Sequence, residues 1–134
     1  MRFVLTICAA LLPASTLAHG ALAVGLPTSV EREGFAYGVA WDHEQQSAAS
    51  ERALTRCRDE DVLAKNHCRV LKVFTRECVA VAMDPDPGTP GVGWAFGPTK
   101  DAAIAQAMKM CHETAGVPRR QYCKLSNAQC DTNP

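Results

Sequence analysis

Side-chain size alternates along several short stretches of this chain. Phe35, Tyr37, Val39 and Trp41 point one way, and Gly34, Ala36, Gly38 and Ala40 point the other. Val92, Trp94 and Phe96 oppose Gly91, Gly93, Ala95 and Gly97, while Val79, Val81 and Met83 oppose Cys78, Ala80 and Ala82. A period of two predicts β-strands, each with a large face and a small face. Cys68 to Phe74 is a further strand, Arg76-Glu77 turns it back into Cys78 to Met83, and the proline-stiffened segment 84–90 leads to the next.

Elsewhere the period changes. Ala49, Ala53, Leu54 and Cys57 fall on one helical face and predict a helix over about 47–58. Ser47 is its expected N-cap, and Arg52, Arg56 and Arg58 load the later turns as the helix dipole favours. Ala103, Ala107, Met108 and Cys111 predict a second helix over about 99–113, capped by Thr99, with Asp101 in its first turn and Gly116 and Pro118 as its stop. The order β-α-β-β-β-α-β reads as an α+β fold, an antiparallel sheet of about five strands with two helices.

The pattern recurs within the chain. Gly38-Val39-Ala40-Trp41 answers to Gly93-Trp94-Ala95-Phe96, the seam ending at Cys57 to the seam ending at Cys111, and Cys68-Arg69-Val70 to Cys123-Lys124-Leu125. Cys78 then answers to Cys130. This predicts a pseudo-twofold domain over 34–134, with halves of about 34–83 and 91–130.

The N-terminus changes the picture of where the domain works. Arg2, the short apolar run 3–12 and Thr16-Leu17-Ala18 read as a signal peptide over 1–18, with Ala21-Leu22-Ala23 as a second possible cleavage site. The expectation is an exported protein, periplasmic or secreted, with 19–33 as an N-terminal tail and no membrane span. Lys plus Arg and Asp plus Glu stand at 14 each, and losing Arg2 leaves the rest close to neutral, so no nucleic-acid footprint is present.

Seven cysteines are encoded, and Cys8 leaves with the leader. The remaining six, in an exported domain without C-x-x-C spacing, imply disulfides rather than a metal or redox site. The repeat pairs Cys57 with Cys68 and Cys111 with Cys123, each within one half. Cys78 and Cys130 are then expected to pair across the pseudo-twofold axis, tying the C-terminal tail to the central sheet.

Tyr37-Gly38-Val39-Ala40, Ala53-Leu54-x-x-Cys57, Cys78-Val79-Ala80-Val81-Ala82, and Gly93-Trp94-Ala95-Phe96-Gly97 leading to Ala107-Met108-x-x-Cys111 together resemble the bacterial exported family carrying domain of unknown function 4189. The resemblance covers roughly 34–130. It implies an exported α+β domain of the bacterial envelope or medium and brings no catalytic residues with it.

Motifs for chemistry are sparse. No G-x-S-x-G, P-loop or H-E-x-x-H occurs. His19 is expected at a frayed terminus, His67 and His112 beside disulfides, and His43 in a solvated turn. Asp84 and Asp86 supply too few oxygens for calcium, and Arg119-Arg120 reads as a solvated loop. No catalytic residue, metal or cofactor is expected. Tyr37, Trp41, Trp94 and Phe96 are the candidate binding surface: exposed if the helices cover the small strand faces, core if they cover the large ones, with core favoured by the cost of exposing apolar area. These features point to a non-enzymatic module that binds another protein, as an inhibitor, accessory factor or effector. The alternative is a small envelope hydrolase acting on peptidoglycan or peptide through His43 or a carboxylate pair.

Overall fold

The computed structural model describes residues 17–131, so residues 1–16 of the expected leader, Cys8 among them, lie outside the described residues, as do 132–134. Six strands form two three-stranded antiparallel sheets. β1 (His19–Gly25), β2 (Ala36–His43) and β3 (Cys68–Phe74) make the first, in the order β2-β1-β3. β4 (Cys78–Met83), β5 (Val92–Gly97) and β6 (Lys124–Cys130) make the second, in the order β5-β4-β6. The four-residue helix α1 (Val30–Glu33) lies between β1 and β2, α2 (Gln46–Arg58) joins β2 to β3, and α3 (Lys100–Ala115) joins β5 to β6. Short 3-10 turns, Leu63–His67 and Arg120–Tyr122, precede β3 and β6.

The alternation of side-chain size explains the layering. The large faces of the two sheets meet, packing Leu22, Val24, Phe35, Val39 and Phe74 against Val79, Val81 and Val92. The small faces carry the helices. Ala21, Ala23, Ala36 and Ala40 pack on Ala49, Ala53 and Cys57 of α2, and Ala80 and Ala82 pack on Ala103, Ala107 and Cys111 of α3. The layers run helix, sheet, sheet, helix. Gly38 and Gly93 permit the close approach of helix backbone to strand: a Cβ on Gly38 would lie 2.6 Å from the Cys57 nitrogen, and one on Gly93 2.5 Å from the Cys111 nitrogen.

Several expectations are corrected. The strands form two sheets rather than one of about five, because each sheet has a large face that only another large face can bury. Residues 19–33 are not a tail: β1 is the central strand of the first sheet, and α1 is a third helix. The halves therefore run from β1 to β3 and from β4 to β6, so Cys78 opens the second half instead of closing the first. Apart from the short α1, both run in the order β-β-α-β. Both central strands also slip register against their third strand, between Leu22 and Ala23 and between Val81 and Ala82. Gln45, not Ser47, occupies the N-cap position of α2, without a side-chain bond. The Thr99 hydroxyl accepts from Ala102 N–H at 3.1 Å and caps α3.

Three disulfides are present, Cys57–Cys68, Cys111–Cys123 and Cys78–Cys130. The first two each tie the end of a helix to the strand that follows. The third joins directly opposed residues of β4 and β6, so it closes the second half on itself and does not cross between halves.

Candidate functional site

A concave surface lies where the two halves meet, and the β4–β5 loop builds one of its walls. Asp84 N–H donates to the Gly91 carbonyl at 2.9 Å and closes the loop at its base. Asp86 N–H donates to Asp84 Oδ1 at 3.1 Å, and the Thr89 hydroxyl donates to the Asp86 carbonyl at 2.7 Å. Arg119, just beyond α3, holds this loop in place. Its Nε donates to Asp84 Oδ2 at 2.9 Å, and its Nη2 donates to Asp84 Oδ1 at 3.0 Å and to Asp86 Oδ2 at 2.6 Å. The same guanidinium lies 4.2 Å from the Tyr122 ring centroid.

The Asp84 side chain is fully enclosed, and the hydrogen bonds from Arg119 hold its carboxyl below the usual carboxylate range. Arg119 is thus a fixed structural cation and not the solvated loop residue expected. Asp84 and Asp86, weighed above as calcium ligands, are engaged by it.

The first half supplies the facing wall from α1, the Gly34-Phe35 entry to β2, and the segment 61–65. Gly34 takes a φ of 81° there, which suits glycine. Together the walls enclose about 460 Å³. Val30, Phe35, Met83 and Val92 give the cleft an apolar floor, and Glu31, Glu33, Asp61 and Asp86 ring it with carboxylates against Arg32 and Lys65. Its lining contains no His, Cys or Ser; Thr89 is its one hydroxyl side chain, and that hydroxyl donates to the Asp86 carbonyl. What it offers is apolar contact inside a negative rim.

The residues singled out from the sequence do not form one patch. Trp94 stacks on Phe35 between the sheets, with ring centroids 5.7 Å apart and planes 8° from parallel, and Tyr37 also stacks with Phe35, at 5.9 Å. Phe96 meets Phe74 at 5.7 Å in the same layer, and Lys72 Nζ lies 4.5 Å from its ring. Trp41 stands apart, 36% exposed, with the Arg56 guanidinium 4.9 Å from its ring centroid. Helices cover the small faces, yet Tyr37, Trp94 and Phe96 are half-buried, because each sheet lies against the large face of the other.

The histidines do not converge on the cleft. His19 lies within β1 rather than at a frayed end, and its Nδ1 bonds the Thr75 hydroxyl at 2.7 Å. His43 ends β2 beside it in register. His67 Nε2 lies 3.5 Å from Glu33, and His112 lies in the last turn of α3. Among the described residues no three His, Cys, Asp or Glu side chains are arranged to hold a metal ion. No described helix is long and apolar enough to cross a membrane. Sequence reading missed Glu31 and the cleft itself, took Arg119 for a solvated loop residue, and could not place Glu33 and Asp61 together. The only signal for the cleft was the stiff acidic loop 84–90.

One buried carboxyl lies outside the cleft. Asp131, 2% exposed, has an Oδ2 with no hydrogen-bond partner among the described residues. Burial pushes its carboxyl up, and nearby Asp42 adds to the shift. The folded value therefore lies above the unfolded one. The ionised group costs stability at neutral pH, and the cost vanishes as pH falls below its ordinary value of 3.8. Asp131→Asn is expected to raise the thermal midpoint at pH 7 and to change it little near pH 3. Equal shifts at both pH values, or none, would contradict this origin.

A family model described as "Domain of unknown function (DUF4189)" matches residues 19–130. No curated protein matches the chain, and no solved structure does. The matched span begins at the first residue of β1 and ends at the last residue of β6, so it takes in both sheets, both long helices and all three disulfides. The chain belongs to the DUF4189 family.

Proposed function

We propose that the protein is an exported binding module that takes a basic, extended segment of a partner protein into the cleft between its halves. The observation that carries this reading is the apolar floor ringed by Glu31, Glu33 and Asp61, with Asp86 already held by Arg119. An apolar side chain of the partner fills the floor, and flanking Lys or Arg side chains meet the rim. Arg119 and the disulfides keep the walls preorganised, which lowers the entropy lost on binding. A hydrolase acting through His43 has less support, because His43 is absent from the cleft lining.

Export rests on the leader features and on the three disulfides. Cleavage after Ala18 leaves β1 whole, whereas cleavage after Ala23 removes all of it but Val24 and Gly25, so the first position is favoured. The two halves, with their shared β-β-α-β order, are read as copies of one unit.

The test uses protein recovered after export, whose N-terminus should sequence as His19. It is titrated with peptides of one length carrying a central aromatic residue flanked by Lys, by Ser or by Glu. The Lys-flanked peptide should bind most tightly and weaken with salt. Glu31→Lys with Asp61→Lys should weaken it at least about tenfold, or 1.4 kcal/mol. Equal binding of the three peptides, or indifference to the charge reversals, overturns the proposal.

A further inference from the structure

A second concave surface shares no residue with the cleft. The end of α2, β2 and β6 enclose a groove of about 440 Å³. Its aromatic surfaces are the exposed Trp41 indole and the half-buried Tyr37 ring. Arg56 fixes the indole: its guanidinium lies over that ring and donates to the Val39 carbonyl. Asp59, Glu60 and Asn127 line the groove around the ring.

The chemistry is mixed in a particular way. Flat apolar faces stand beside carboxylate acceptors, a guanidinium donor and an amide that does both. Two carboxylates repel phosphate and nucleic acid, and the two rings, Trp41 and Tyr37, stand among polar groups rather than in an apolar pocket. A pyranose matches these groups. It presents a C–H face that can lie on an indole and a girdle of hydroxyls that both donate and accept.

We propose that this groove is a saccharide-binding site, taking one or two neutral pyranose units of a glycan with a ring face on the part of Trp41 that Arg56 leaves uncovered and hydroxyls on Asp59, Glu60 and Asn127. Partial burial pushes the Glu60 carboxyl up, which marks it as an incompletely hydrated acceptor that a ligand hydroxyl would satisfy. The site is independent of the cleft and stands whether or not a peptide binds there.

The experiment titrates the protein with soluble tetramers of N-acetylglucosamine, β-1,4-glucose and α-1,4-glucose, up to about 10 mM because single-subsite affinities are weak. Intrinsic fluorescence and ¹H–¹⁵N spectra are followed. The protein has two tryptophans, so Trp94→Phe isolates the Trp41 emission. At least one tetramer should give a saturable change in Trp41 emission and in the Asn127 amide signals. Trp41→Ala should weaken binding at least tenfold and Glu60→Gln severalfold, with unchanged circular dichroism and unchanged peptide binding in the cleft. No saturable change with any of the three tetramers overturns the proposal. So does saccharide binding that survives Trp41→Ala in a folded protein.

Discussion

Gly93→Ala is expected to destabilise the protein by at least about 3 kcal/mol, the upper end of the usual cost of overpacking. The added Cβ would press into the Ala107 carbonyl oxygen and lie 2.5 Å from the Cys111 nitrogen. Both obstacles are helix backbone, so neither can swing aside as a side-chain end would. α3 must lift from β5, and the alanine layer of Ala80, Ala82, Ala103 and Ala107 separates with it. Gly38→Ala meets the Ala53 carbonyl and the Cys57 nitrogen in the same way and should cost a similar amount. Gly88 is the control. It also has a positive φ, 77°, but an added Cβ meets nothing within 4 Å, so its alanine variant should lose only about 1 kcal/mol. Urea midpoints of the three variants decide this. Similar, small losses for all three would mean that the helices do not sit on the strands as described.

Removal of the Cys78–Cys130 bridge, as Cys78→Ala with Cys130→Ala, is expected to cost about 4 kcal/mol. Its sequence separation is 52, and the entropy recovered by the unfolded chain grows with the length of the closed loop. The bridges closing separations of 11 and 12 should each contribute about 3 kcal/mol. Against a typical total of 5–15 kcal/mol, any one loss is severe. Position matters as much as size. Cys78 opens β4, which ends at Met83 on the cleft floor and leads into the Asp84 loop. Loss of this bridge should therefore weaken peptide binding as well as stability, whereas loss of Cys57–Cys68 acts on the opposite wall through Asp61 and Lys65. Guanidinium denaturation of the three alanine pairs tests the order. A Cys78–Cys130 loss no larger than the other two would contradict the loop-length account.

Much of this architecture was legible because side-chain size alternates so regularly. Ala49 to Cys57 and Ala103 to Cys111 mark helices that rest on Gly38 and Gly93, and small residues on both partners are what let backbones approach. β1 was missed although Ala21-Leu22-Ala23-Val24 carries the same small-large alternation as Ala80-Val81-Ala82-Met83. It lies beside the expected cleavage site, where Ala21-Leu22-Ala23 also reads as a processing signal. Alternation shows that a strand has a face to bury but not what buries it, so two sheets facing each other looked the same as one sheet under helices. The cleft was out of reach for another reason. Arg119 and Asp84 are 35 residues apart and share no local pattern. The carboxylate rim is drawn from α1, the end of the loop after α2, and the β4–β5 loop, which only the packing of the halves brings together.

The account rests on the junction of the two halves being the binding surface, and chemical-shift mapping reads that surface residue by residue. A ¹H–¹⁵N spectrum of the exported protein is followed while the Lys-flanked aromatic peptide is added. The largest shifts should fall on residues 30–35, 61–65 and 83–92, and Asp131 and the exposed face of α3 should stay still. Shifts spread over the surface, or gathered away from those three segments, would contradict it.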